Sequence, residues 1–183
     1  MSEDDTERCL TELNYLIAGV RNPLVGHPSG TLTDHDRTLL ETIAKKKDER
    51  FVKPLLELMQ CVCGLGQIEV QKALETMGES EEIVDCLLRL LDGPYRLGSA
   101  NVLAGIGSPK ALRLITERAA GDTSLILPAI RICEKVGGSV ARDFLARLLI
   151  AYRPLTWPMN WFKAKEDSAR RIITTEARIA LDR

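Results

Sequence analysis

The sequence predicts an all-α protein built from stacked helical hairpins, and two observations carry that reading. The first is a pattern that returns three times: Ala73-Leu74-x-x-Met77-Gly78, Val102-Leu103-x-x-Ile106-Gly107 and Ile132-Cys133-x-x-Val136-Gly137, with the glycines 29 and 30 residues apart. A fixed period between about 20 and 50 residues is the mark of serially stacked supersecondary units. The second is that the chain after each glycine also repeats. Ile83, Val84, Leu87 and Leu91, then Ala111, Leu112 and Ile115, then Ala141, Phe144, Leu145 and Leu148 fall three and four apart. That spacing lines one face of an α-helix. Each unit therefore reads as helix, tight turn, helix.

The elements follow in order. Residues 1–20 carry Cys9, Leu10, Leu13, Leu16, Ile17 and Val20 at helical spacing, which predicts an N-terminal helix. Residues 21–33 are too rich in Pro and Gly for regular structure and form a loop. Loops of that length are often functional, and this one holds His27 and leads into Asp34-His35-Asp36. A His/Asp metal or acid–base site is one reading of these residues. Thr33 or Asp34 capping the next helix, with the histidines solvated, is the other.

Residues 34–152 hold the repeats, beginning with a diverged unit: Leu39-Leu40-x-x-Ile43-Ala44, a charged turn from Lys45 to Arg50, then a helix through Phe51 to Met59. At the turns, glycine is expected in the left-handed conformation, and Ser80, Ser108 or Ser139 is positioned to cap the next helix. Pro109 falls in a first helical turn, where its missing N–H costs nothing. Pro128 is expected to bend or delay its helix. Residues 153–183 break the repeat. Tyr152, Trp157, Trp161 and Phe162 are four of the chain's eight aromatic residues, and a last amphipathic helix follows over 168–181. The aromatic cluster reads either as a cap over the last repeat or as an interaction hot spot beside Arg153 and Lys163.

The segment Asp48-x-Arg50-x-Val52-x-x-Leu55-x-x-Leu58 resembles the start of a HEAT second helix, and Ile106-Gly107-Ser108-Pro109-x-Ala111 resembles its inter-helix turn. Over residues 33–152 the chain is similar to the HEAT-repeat family, including the short HEAT-like repeats first described in phycobilisome lyases. The later units lack the Asp-x-Arg pair. The resemblance implies one right-handed α-solenoid domain over 1–183, about four hairpins long, with an N-terminal helix and a C-terminal capping helix. It further implies that the second helices line a concave surface. Its motif residues pack the solenoid, so the resemblance implies an architecture rather than an activity.

Composition agrees. At 183 residues and 45% hydrophobic the chain is long enough for one continuous core, while 4% aromatic content suits helices packed through Leu, Ile, Val and Ala. No apolar run approaches the ~18 residues of a membrane span, and no membrane partner is expected. The acidic start, Ser2-Glu3-Asp4-Asp5, is unlike a secretory signal, so a cytoplasmic setting is expected. Five cysteines at irregular spacings read as reduced, buried small hydrophobes. Cys61-Val62-Cys63 lacks the spacing and the second ligand pair of a structural zinc site.

Charge is divided along the chain. Residues 1–92 carry 10 Lys/Arg against 18 Asp/Glu, a net of −8, and residues 93–183 carry 15 against 8, a net of +7. Eleven of those 15 cations are Arg, the side chain suited to bidentate pairing with carboxylate or phosphate. Shifting the sequence by 30 places Arg113 over Asp143 and Glu117 over Arg147, which predicts a charge ladder between neighbouring second helices. Such a ladder tunes stacking rather than drives it. It leaves Arg118, Arg142 and Arg153 less compensated, and these, with Trp157, Trp161 and Phe162, are the candidate partner-binding residues.

No residue set reads as a catalytic centre, and neither a cofactor nor a metal is expected. The reading is a non-catalytic adaptor or scaffold that binds a protein or peptide, favouring an acidic one. The alternative is nucleic-acid or base-lesion binding, implied by similarity to the HEAT-like DNA alkylation-repair glycosylases. Against it, a chain of pI near 6.2 lacks the broad basic face of a duplex binder, although its C-terminal half alone has one. A bilin-lyase-like activity rests on the repeat type alone. The opposite-signed halves also permit head-to-tail self-association.

Overall fold

The structure, a computed structural model, describes residues 3–21, 32–78, 80–152 and 164–182, without the side chains of 164–170. Every regular element among them is helical, with no strand. The α-helices are α1 (Glu3–Arg21), α2 (Asp34–Lys46), α3 (Val52–Cys61), α4 (Leu65–Met77), α5 (Glu81–Arg89), α6 (Arg96–Ile106), α7 (Pro109–Ala119), α8 (Ile126–Val136), α9 (Gly138–Ala151) and α10 (Ala164–Asp182). They gather into two compact units, Met1–Ile106 and Gly107–Arg183. The charge follows this division: 11 Lys/Arg against 18 Asp/Glu give the first unit a net of −7, and 14 against 8 give the second +6.

In the first unit alternate helices pack in series. Helix α1 lies on α3 and α3 on α5, while α2 lies on α4 and α4 on α6. Phe51, Leu55, Leu56 and Leu58 join Leu13, Ile43, Leu74, Met77, Ile83, Leu87 and Leu103 in the core. Each such side chain contributes about 1.5–3 kcal/mol on burial. Helix α6 is thin where it meets its neighbours: a Cβ on Gly98 would lie 2.8 Å from Met59 Cε, and one on Gly105 would strike the Glu75 carboxylate. Ion pairs tie the helices at the surface, Arg21 to Glu57 at 2.6 Å, Arg37 to Glu69 at 2.9 Å and Arg50 to Glu7 at 2.9 Å.

The second unit repeats the alternation, α7 on α9 and α8 on α10, with α8 also packed on α7 and α9. Ile126, Ala129, Ile130, Ile132 and Cys133 of α8 are buried. Pro128 lies in the first turn of α8 after a 3-10 turn at Thr123–Leu125, so the proline delays the helix instead of breaking it.

The turns follow local chemistry with three corrections. Thr33 caps α2 as expected, in a full capping box: its hydroxyl faces the Asp36 N–H, and Asp36 Oδ2 accepts from the Thr33 N–H at 2.8 Å. Gly107 and Gly137 hold φ of +74° and +68°, the left-handed region expected of them. Gly78 instead has φ −67°, and what it needs is room, because an added Cβ would meet the Ile106 side chain. Ser80 and Ser108 stand at N-cap positions without a capping side-chain hydrogen bond, and Ser139 lies inside α9, where Gly137 takes the cap position. The loop expected over 21–33 falls largely outside the described residues, as does the whole aromatic segment from 153 to 163.

Candidate functional site

The site grows out of the layer that α7 and α9 form in the second unit. Helix α8, buried against both, holds them side by side, and Gly137 sets the direction in which α9 leaves the turn. Along α7 and its C-cap the residues Arg113, Thr116, Glu117 and Ala120 recur at helical spacing, and along α9 Val140, Phe144, Arg147, Leu148 and Ala151 do the same. Together with Ala119 and Tyr152 they line a groove of about 650 Å³. Phe144, Leu148 and Ala119 form its floor and are nearly buried, while Val140 is 45% exposed. The Thr116 hydroxyl, also buried, donates back to the Leu112 and Arg113 carbonyls at 2.8 and 2.9 Å. Polarity is thus confined to the rim.

The rim cations differ from those the charge pattern singles out. Arg113 Nε bonds Glu117 Oε1 at 2.8 Å one turn along its own helix, and Arg147 Nε donates to the Asp143 carbonyl at 3.2 Å. Arg113 therefore pairs along its own helix and Arg147 bonds its own backbone, in place of the expected cross-helix ladder. Hydrogen bonding to Glu117, then its charge, raises the Arg113 pKa further, so this guanidinium stays charged at every working pH. Arg118 is half-buried on α7 and Arg142 exposed on α9, and neither lines the groove. Arg153, Trp157, Trp161 and Phe162 lie outside the described residues. Sequence reasoning set Arg113 and Arg147 aside as ladder partners and passed over the Val140–Phe144–Leu148 stripe beside them. The signal was the series Val140, Phe144, Arg147, Leu148, Ala151, an apolar helical face interrupted by one arginine.

A second groove, about 330 Å³, lies between α2 and α4 of the first unit. It has a floor of Leu40, Ala44 and Ala73 and is crossed by the Arg37–Glu69 ion pair. Glu69 Oε2 is buried there with no hydrogen-bond partner. Lys45, Lys72 and Glu41 at its edge give it no single sign.

None of the five cysteines is in a disulfide, and the expected burial holds for Cys9 and Cys133 but not for half-buried Cys61 and Cys86 or exposed Cys63. Burial pushes the Cys133 thiol up to about 12 and raises Cys86 as well, so neither is an activated nucleophile. Among the described residues no group of three or more His, Cys, Asp or Glu is placed to hold a metal ion, and no helix is long and apolar enough to cross a membrane. The fold and site together define an all-α protein with helix-walled surface grooves. Compared with known protein families and with curated proteins, the chain matches no family model and no curated sequence.

Proposed function

We propose that this protein is a non-catalytic protein–protein interaction module, an adaptor or scaffold whose hairpins stack as a right-handed HEAT-like α-solenoid and whose α7–α9 groove holds a segment of a partner protein. The observation that carries the reading is the groove itself, an apolar floor between two arginines. Concave, largely apolar surfaces with a few placed polar groups are where ligands bind. Rim cations on a unit of net charge +6 favour an acidic segment. The one hydroxyl on the floor, Thr116, is spent on its own helix, which supports binding over chemistry. The stacked-hairpin reading is supported by the 29- and 30-residue period together with the alternate packing inside each unit. Five free thiols suit a reducing cytoplasm.

The test is selection of peptides from a random display library on the full chain, alongside the variant Ala120→Glu/Val140→Glu. Both positions are exposed, so the variant keeps its fold. Wild type is expected to enrich peptides combining Asp/Glu with apolar residues, and the variant to lose them. Binders indifferent to the two substitutions would overturn the groove as the site. Salt-sensitive retention on DNA, abolished by Arg118→Glu/Arg142→Glu, would move the protein to the nucleic-acid class.

A further inference from the structure

We infer that the partner segment enters the α7–α9 groove as an α-helix, with an apolar stripe turned to the floor and acidic residues on its flanks. The inference rests on the protein-binding reading of this groove and goes further by fixing the ligand's conformation. It follows from hydrogen-bond accounting. An extended peptide brings an N–H and a C=O at every residue, and receptors that take one supply matching groups, usually a sheet edge. The walls here are helices, whose backbone groups are paired within them except in the first and last turns, and the Tyr152 N–H at the end of α9 is taken by the Leu148 carbonyl at 2.9 Å. The Thr116 hydroxyl gives its one proton to its own turn and is a single buried acceptor beyond that. Arginine donates but never accepts, so Arg113 and Arg147 have nothing to offer a peptide N–H, and the Glu117 carboxylate, held by Arg113 at 2.8 Å, is a single acceptor and not a row of them at strand spacing.

A helix meets the same surface without that cost, because its backbone bonds lie inside it. The dimensions agree: the lining runs from Val140 to Ala151 on α9, about 16 Å or three turns at the helical rise. Apolar side chains at i, i+3, i+4 and i+7 span about 10.5 Å, two of those three turns. A carboxylate on one flank takes over from Glu117 at Arg113, and one on the other meets Arg147, where the present partner is only a carbonyl.

The probe is a synthetic peptide of about four turns, Leu at i, i+3, i+4 and i+7 and Glu beside them, stapled as a helix through its far face. Its comparison carries the same Leu and Glu content with proline in a central far-face position. Fluorescence anisotropy against the full chain is expected to give saturable binding of the stapled peptide, at least about tenfold tighter than the proline form. Ala120→Glu/Val140→Glu is expected to abolish it. Equal binding of both peptides, each blocked by those substitutions, would overturn the helical ligand and leave the groove reading standing. No binding of either peptide, or binding the substitutions do not touch, would overturn both.

Discussion

Replacing Gly78 with alanine is expected to destabilise the first unit, and removing the Ile106 side chain is expected to relieve most of that loss. At φ −67° alanine fits the Gly78 backbone, and the exchange alone would stabilise by about 0.4–1 kcal/mol through the unfolded chain. Against that, the new Cβ lands on the Ile106 side chain and lies 3.2 Å from the Glu75 carbonyl oxygen. Overpacking of this kind costs about 1–3 kcal/mol. The net is a loss of roughly 0.5–2 kcal/mol, or a few degrees in Tm for a chain this long. Gly107→Ala loses stability for another reason, since φ +74° is strained for any side chain and the Cβ would also sit 2.9 Å from Lys135 Cδ. Urea unfolding followed by circular dichroism checks both through double-mutant cycles. Gly78→Ala with Ile106→Ala should show a coupling of about 1 kcal/mol or more, whereas Lys135→Ala should leave the backbone strain at Gly107→Ala in place. A Gly78→Ala loss that persists without the Ile106 side chain would refute the steric argument.

Thr33→Ala removes the capping box on α2 and is expected to cost about 1 kcal/mol, read as a lower urea midpoint with unchanged slope. The Arg50 guanidinium, bonded to Asp48 at 2.7 Å, holds the Asp48 carboxyl below its usual range. Its folded pKa is thus lower than its unfolded value near pH 4, so its contribution is full above that value and is lost as pH falls through the folded one. The stability gap between wild type and Asp48→Asn should accordingly be constant at neutral pH and close in the acid limb of a pH titration. With iodoacetamide near pH 8, where a free thiol begins to ionise, exposed Cys63 should be alkylated in the folded protein. Buried Cys9 and Cys133 should react only after denaturation, as mass spectrometry of the fragments would show.

Features set by neighbours along the chain were legible in the sequence. The apolar stripes of α3, α5, α7 and α9 fall where the spacing puts them, and Thr33 caps α2 because its partner, Asp36, is three residues away. Gly78 was expected to be left-handed, yet its reason is a side chain 28 positions on, at Ile106, which no local pattern reveals. Arg113 is the opposite case: a repeat shift offers Asp143 as a partner, but Glu117 one turn away on the same helix is reached without ordering two helices against each other.

The groove was not picked out by the sequence, since Arg118 and Arg142 do not line it, and helix rotation explains why. Arg113 and Arg118 are five residues apart, as are Arg142 and Arg147, and five residues turn an α-helix by about 140° from the starting direction. The repeat shift singles out Arg118 and Arg142 as the less compensated cations, whereas the fold sends Arg113 and Arg147 to the groove and the other two elsewhere. This asymmetry is measurable, because Arg113→Glu/Arg147→Glu and Arg118→Glu/Arg142→Glu each lower the net charge of the second unit from +6 to +2. Their long-range fields on an acidic peptide are therefore alike, and both fade as the screening length shrinks toward about 3 Å in 1 M salt. If the groove is the binding surface, the first pair should weaken the stapled acidic helix well beyond the second, chiefly through faster dissociation. Equal losses from the two pairs, vanishing together in high salt, would mean that the second unit attracts acidic chains by net charge alone.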